Sequence, residues 1–336
     1  MSGHPARSDV EAARRRIAGR VTRTPLVESA HLSALVGAPV HLKLENLQVT
    51  GSFKLRGATN RLLALTVAER RRGVVTVSSG NHGRAVARVA ADLGVAAVIC
   101  LSSRVPAVKV AAIEALGARV VVAGPTQDDA DAAARALAGE GLIFIHPFDD
   151  PLVIAGQGTI GLEVLEDLPR ASTLVVPLSG GGLISGIAVA AKGLRPGVRV
   201  VGVSQDRGPA MFDSLRAGHL MDVVEEDTLA DALAGGLGPE NRHTYEMCRT
   251  LVDETVLVTE DEIAAAMGAL FAHDHEVVEG GGAVGAAALV AGKVAAGPAT
   301  VVVISGGNVD PAVLARFVGR ARTPGGRGSG GRKRPI

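Results

Sequence analysis

Lys54 stands in the run TGSFKLRGA (50–58), among small residues with one aromatic neighbour, Phe53. Lysine is strongly hydrated, and a setting so poor in polar partners lowers its pKa unless the charge is paired. An amine with a depressed pKa is what Schiff-base chemistry requires. Three further stretches are rich in Gly, Ser and Asn: SSGNHG (78–83), SGGGLISG (179–186) and SGGN (305–308). Each follows a short apolar run, and the first two lead into segments with helical character. Amide N–H groups at the start of a helix hold anions. Consecutive glycines let the backbone approach such a group closely and form a nest of donors. SSGNHG is suited in this way to a carboxylate, and Gly180-Gly181-Gly182 to a phosphate.

The glycine triplet does not fit G-x-G-x-x-G, because Ser185 stands where the last glycine would fall. No acidic ribose ligand follows it, and no G-x-x-x-x-G-K-[ST] loop exists in the chain. These features favour a small phosphorylated ligand over ATP or NAD. A reactive lysine combined with a phosphate nest points to pyridoxal 5′-phosphate. That cofactor needs an amine for its aldehyde, an anion site for its phosphate and a partner for its ring nitrogen.

Placing four such loops together requires a regular scaffold. VHLKLE (40–45) reads as a strand leading to the lysine segment. Further short β-branched runs are VVTVS (74–78), VAAVIC (95–100), ARVVVA (118–123), LIFI (142–145), STLVVPL (172–178), VRVVGVS (198–204) and TVVVIS (300–305). Helical stretches of 10–15 residues separate most of them. Strands apolar on both faces and alternating with helices predict α/β architecture, with doubly wound parallel sheets. The spacing Ser8-Asp9-Val10-Glu11 predicts a capping box for the first helix, and Asp128, Asp129 and Asp131 after Thr126 predict another helix start.

Composition narrows the function classes. Thirty-five Lys+Arg against 34 Asp+Glu give a charge of +1, and there is no Trp and one Tyr. Such a balance favours neither nucleic acid nor an anionic membrane, and base-stacking platforms are lacking. No signal-type segment or bilayer-length apolar stretch is present, so a soluble cytoplasmic protein is expected. Cys100 and Cys248 make neither a disulfide framework nor a zinc signature, and Cys100 reads as a buried structural thiol. His273-Asp274-His275-Glu276 has metal-like residue types but no third placed ligand, and reads as a polar helix-end loop. The tail TPGGRGSGGRKRPI (323–336) is expected to be disordered.

In their order along the chain, TGSFKLRGA, SSGNHG, SGGGLISG and SGGN resemble the fold-type II pyridoxal-phosphate enzymes of the serine/threonine dehydratase family. TPL (24–26), HPFDD (146–150) and GQGTIGLE (156–163) extend the resemblance over roughly residues 20–320. It implies a tryptophan-synthase-β-like fold with the cofactor between two domains. Residues 1–66 plus 148–322 would form the large domain and 67–147 the small one. Lys54 would carry the cofactor and act as the base at Cα, with Phe53 beside it. Asn81 would bond the phenolic oxygen, and Ser78, Ser79, Gly80, Asn81 and His82 would surround the substrate carboxylate. Gly180, Gly181, Gly182 and Leu183 would hold the phosphate, Ser305 would face the ring nitrogen, and Glu279 would lie near the cofactor. A neutral hydroxyl at the nitrogen makes a weaker electron sink than a carboxylate, which suits β-elimination better than transamination.

The resemblance further implies a homodimer that acts on a small amino acid. RGPAMFDSLRAGH (207–219) is similar to the hydroxyectoine-utilisation dehydratases, which suggests a β-hydroxy α-amino acid from that degradation. Catabolic threonine/serine ammonia-lyase, hydroxyaspartate dehydratase and serine racemase are the alternatives, the last because Ser79 matches the second base of the racemase. Ser204 replaces the glutamate that binds a divalent cation in the racemase branch, so no metal is expected. No amino-acid-sensing domain is expected after residue 320.

Overall fold

The computed structural model describes residues 3–318, except residues 79, 106 and 239 and the side chains of 108 and 109. Among these, the strands are β1 (Leu26–Glu28), β2 (Val40–Leu44), β3 (Val74–Val77), β4 (Ala97–Leu101), β5 (Arg119–Val122), β6 (Ile143–Phe144), β7 (Thr173–Pro177), β8 (Arg199–Gln205), β9 (Glu254–Val258) and β10 (Thr300–Ile304). They form a six-stranded sheet, β1-β2-β10-β7-β8-β9, and a four-stranded sheet, β5-β4-β3-β6. Every pairing is parallel except that of β1 with β2. The expected α/β class with two parallel-sheet domains is what the chain adopts.

Alternate residues of the central strands pack on opposite faces. Val302 and Ile304 of β10 join one apolar cluster with Leu42 and Val175, while Val301 and Val303 join another with Leu174 and Val176. In the small sheet Val74 and Ile99 face one side, and Val75, Val77 and Cys100 face the other. Each fully buried aliphatic side chain contributes about 1.5–3 kcal/mol, and this explains why aliphatic residues dominate both faces of these runs. Glycines allow the helices Pro151–Asp167 and Gly182–Leu194 to cross closely, since a methyl at Gly186 would collide with Ile154 O and Gly158.

Several local expectations need correction. The first helix begins at Arg7, and its N-terminal amide at Ala6 donates to Asp9 Oδ2 at 2.8 Å, so Ser8 lies inside the helix and not at its cap. β2 stops at Leu44, and Glu45 turns into a short 3₁₀ segment. LIFI supplies only two strand residues, Ile143 and Phe144. The stretch before Glu279 is not a simple loop. Leu270–Asp274 forms a π-turn that closes at His275 with φ 59°, and His273 stacks on His31. The helix after Thr126 is capped as expected, with Asp129 completing the box. No helix among the described residues is long and apolar enough to cross a membrane. The tail 323–336 lies outside the described residues.

Candidate active site

The carboxyl ends of β2, β10 and β7 are neighbours in the large sheet. Lys54 follows β2, Ser305 follows β10 and Gly180–Gly182 follow β7, so the topology gathers three of the four Gly-rich junctions at one edge. The fourth, SSGNHG, leaves β3 in the small sheet, and HPFDD leaves the adjacent β6. Loops beyond the carboxyl ends of parallel strands are where α/β proteins hold ligands.

Lys54 opens the helix Lys54–Leu63, and its Nζ donates to Pro147 O at 2.8 Å. The Nζ lies 5.2 Å from the centre of the Phe53 ring. Desolvation pushes the amine down to about 8, with no carboxylate near enough to restore it. The strand-like bridge Ser52–Gly306, and the bond from Phe53 N to Ser305 O at 3.0 Å, fasten the lysine segment to the loop after β10.

Asn81 begins the helix Asn81–Leu93, and both ends of its side chain are engaged. Its Nδ2 donates to Glu279 Oε1 at 2.6 Å, while its Oδ1 accepts from Asn308 Nδ2 at 2.6 Å. Arg84 Nη1 donates to Asn308 Oδ1 at 2.8 Å, and Asn308 Nδ2 also reaches Thr50 O at 2.9 Å. This chain ties the small-sheet helix to the loops of the large sheet and leaves one Asn81 amide hydrogen for a ligand. Glu279, buried, therefore orients Asn81. Asn308 thus joins the site through residues more than 200 positions away, which its own place in SGGN does not signal.

Ser78 Oγ accepts from Gly80 N at 3.2 Å, which shapes the turn into that helix. Ser79 lies outside the described residues. His82 is buried beside Ile145, where Nε2 meets the carbonyl at 3.3 Å and Nδ1 has no partner. Burial, with Lys54 adding repulsion, pushes its pKa down to about 3, so the ring is neutral. With Nε2 donating to the carbonyl, Nδ1 presents a lone pair, which does not suit a carboxylate. The backbone N–H of His82, in the first helical turn, is the group this position offers to an anion.

The helix Gly182–Leu194 has no side-chain cap, and its N-cap Gly181 adopts φ 85°, a conformation side chains rarely tolerate. A methyl at Gly180 would collide with the Phe148 ring, and one at Gly182 would lie 2.8 Å from Phe148 O. A methyl at Gly181 would lie 2.9 Å from Thr244 Cβ and 3.0 Å from Cys248 Sγ. Bare backbone at the positive end of a helix is thus the only surface this turn can show. Leu183 is buried within its first turn. Cys248 faces the glycine turn, which its sequence neighbours did not indicate; burial pushes its thiol up to about 12, so it is no nucleophile. Ser305 Oγ reaches only Gly281 O, at 3.4 Å, and keeps its capacity for another partner. Ser204 Oγ is turned to Gln205 Oε1 at 3.1 Å.

Pyridoxal phosphate fits this donor set. The desolvated amine, the uncapped glycine turn and the lightly held Ser305 hydroxyl match aldehyde, phosphate and ring nitrogen. The buried Ser52 Oγ, Thr50 Oγ1 and His82 Nδ1, all without partners, flank Lys54 and Asn81 in sequence and are the polar atoms a bound polar ligand would engage.

Beneath the lysine helix lies a group that no motif announced. Arg56, Lys43 and Glu45 are 0% exposed and meet Glu163 from the helix Pro151–Asp167. Arg56 donates to both oxygens of Glu45, at 2.9 and 2.8 Å, and to both of Glu163, at 2.6 and 2.8 Å. Lys43 Nζ completes the group at 2.6 Å from Glu163 Oε2 and 2.7 Å from Thr24 O. Two positive and two negative charges balance, and the network holds the first turn of the lysine helix from behind.

Comparison with known proteins follows the same lines. Residues 17–306 match the family model described as pyridoxal-phosphate dependent enzyme. The chain is 44% identical over 320 residues to an L-threonine ammonia-lyase of Thermotoga maritima, covering 95% of this chain and 79% of that one. It is 43% identical over 315 residues to the catabolic L-threonine dehydratase of Escherichia coli K12, covering 93% and 95%. Among solved structures, maize serine racemase superposes with a TM-score of 0.88 at 34% identity, covering 94% of this chain and 97% of the other.

Proposed function

The chain belongs to the pyridoxal-phosphate dependent enzyme family, and from that premise we propose that it is a catabolic L-threonine/L-serine ammonia-lyase. Its cofactor is pyridoxal 5′-phosphate and its class of activity is that of the dehydratases. The net reaction converts threonine to 2-oxobutanoate and ammonia, or serine to pyruvate and ammonia. The observation that carries this reading is a desolvated lysine bonded to Pro147 O, next in the chain to the Phe148 that packs on an uncapped glycine turn, with a neutral serine as the third partner.

Bound there, the cofactor supplies the electron sink that acidifies the substrate's Cα–H. Lys54 would hold the aldehyde, and its amine, unprotonated near neutral pH, would be the group that takes the Cα proton. Gly180, Gly181, Gly182 and Leu183 offer backbone N–H groups to the phosphate. The free Asn81 amide hydrogen bonds the phenolic oxygen while Glu279 and Asn308 keep the side chain in place. Ser78, Gly80 and the His82 backbone bind the carboxylate, and Ser79 belongs to the same loop. Ser305 would offer the ring nitrogen a neutral hydroxyl, a weaker electron sink that would suit β-elimination. The division into 1–66 plus 148–322 and 67–147, and a homodimer, belong to this proposal.

The relatives, named for L-threonine, favour threonine over a hydroxyectoine-derived amino acid, and serine, its demethylated analogue, is kept beside it. Oxo-acid release from L-threonine, L-serine, 3-hydroxyaspartate and 3-hydroxy-2,4-diaminobutyrate tests this. Threonine and serine are expected to have the highest kcat/KM; a tenfold or larger preference for the diamino acid, about 1.4 kcal/mol in the barrier, would overturn it. Likeness to maize serine racemase favours racemisation as a second reading. D-serine appearing alongside pyruvate would support it.

The lysine's lowered pKa gives a sign for pH dependence. Only the unprotonated amine attacks an aldehyde, so capture of pyridoxal phosphate by cofactor-free protein should accelerate with pH and level off above about 8. An ordinary lysine would continue accelerating to about 10.4. Stopped-flow absorbance across pH 6–10.5 distinguishes the two, and a rate still climbing at the upper end would refute the desolvated amine.

A further inference from the structure

We infer, resting on Gly180–Gly182 as the phosphate cradle, that Asp149 is a positioning residue for that cradle and acts through the helix Thr244–Leu251. His243 at its N-cap makes no side-chain capping bond, and Asn241 Oδ1 reaches only as far as Tyr245 N, at 3.0 Å, which leaves the amides of residues 242–244 to another acceptor. Asp149 takes that place from far away in the chain. Its Oδ2 accepts from Arg242 N at 2.7 Å, and its Oδ1 accepts from His243 N and Thr244 N, both at 2.9 Å. A carboxylate receiving three amide donors at the positive end of a helix is a strong, directional anchor.

The anchored helix presents Thr244 and Cys248 to the glycine turn. They pack against Gly181, close enough to leave 2.9 and 3.0 Å to a methyl placed there. Cys248 Sγ also touches Ser185 Oγ at 3.5 Å, in the first turn of the cradle helix. On the opposite side Phe148, the residue preceding Asp149, covers Gly180 and Gly182. His146 Nδ1 accepts from Phe148 N at 3.2 Å and Asp149 N at 2.8 Å, which fixes the backbone between them. The cradle is therefore clamped between two surfaces that both depend on residues 146–149. Gly181 cannot hold its own left-handed shape through a side chain, so the clamp is what defines where its N–H points.

Among the described residues the Asp149 carboxylate bonds the amides of Arg242, His243 and Thr244, and its effect should be confined to the phosphate end. Titrating purified Asp149→Ala and parent protein with pyridoxal phosphate and with pyridoxal, followed by visible absorbance, isolates that end. For Asp149→Ala the Kd of pyridoxal phosphate is expected to rise roughly tenfold, the scale of a lost helix cap. The Kd of pyridoxal, which lacks the phosphate, should stay within about twofold. Asp149→Asn keeps an acceptor for His243 and Thr244 and should fall between. If Asp149→Ala does not fold, the same ratio is read from Asp149→Asn. Equal weakening of both aldehydes, or an unchanged Kd for pyridoxal phosphate, overturns this inference alone. A parent protein that binds neither aldehyde overturns the cradle reading together with it.

Discussion

Lys54→Ala protein is expected to release oxo acid at least ~10³-fold more slowly than the parent and to show no protein-linked visible band with pyridoxal phosphate. The magnitude combines loss of the covalent anchor with loss of the base, and general base catalysis alone contributes 10²–10⁴-fold. The fold should survive. Lys54 is half-buried, and among the described residues its Nζ bonds Pro147 O, whose loss costs about 1–2 kcal/mol. A melting curve close to that of the parent, together with absent turnover, is the expected combination. Turnover within tenfold of the parent would assign the base to another group.

The largest effect on stability is expected at Arg56. Arg56→Met leaves Glu45 and Glu163 buried with Lys43 as their one remaining cation in the group, and breaking a buried ion pair from one side costs about 3–5 kcal/mol. Melting temperature should fall by roughly 4–7 °C, followed by circular dichroism. Arg56→Lys keeps the charge but cannot reach both carboxylates in a planar fork, so an intermediate loss is expected. Buried ion networks are poor devices for stability as such, since replacing the whole set with apolar residues is often neutral. Their use here is geometric: the 3₁₀ turn that follows β2, the lysine helix and the helix Pro151–Asp167 meet at one guanidinium, and the register of Lys54 follows from it. An Arg56→Met melting point within about 2 °C of the parent would remove that role.

The central strands were legible because burial on both faces leaves an uninterrupted β-branched run, and β7, β8 and β10 show this plainly. β1 and β9 were not, for a related reason. They lie at the two edges of the large sheet, where Leu26–Glu28 and Glu254–Val258 are only partly buried and carry polar residues. The Gly-rich turns could be read as anion sites because their chemistry is local: backbone donors, absent side chains, a helix start. What joins them could not. Asn81, Arg84, Glu279 and Asn308 come together across about 200 residues, and an isolated asparagine or glutamate carries no mark of its partner. The Lys43–Glu45–Arg56–Glu163 group was hidden more deeply, since charged residues in a sequence normally signal solvent. HPFDD was visible only through resemblance. In the structure its residues serve different ends: Pro147 receives the Lys54 amine, Phe148 and Asp149 frame the glycine turn, and Asp150 caps Pro151–Asp167 while pairing with Arg61.

The most direct test of the whole account is to reduce the complex of purified protein and pyridoxal phosphate with borohydride, digest it and locate the added mass by peptide mass spectrometry. A single pyridoxyl group on the peptide containing Lys54 is the predicted result. A label on Lys43, on a surface lysine, or on none would contradict the claim on which the proposed chemistry rests.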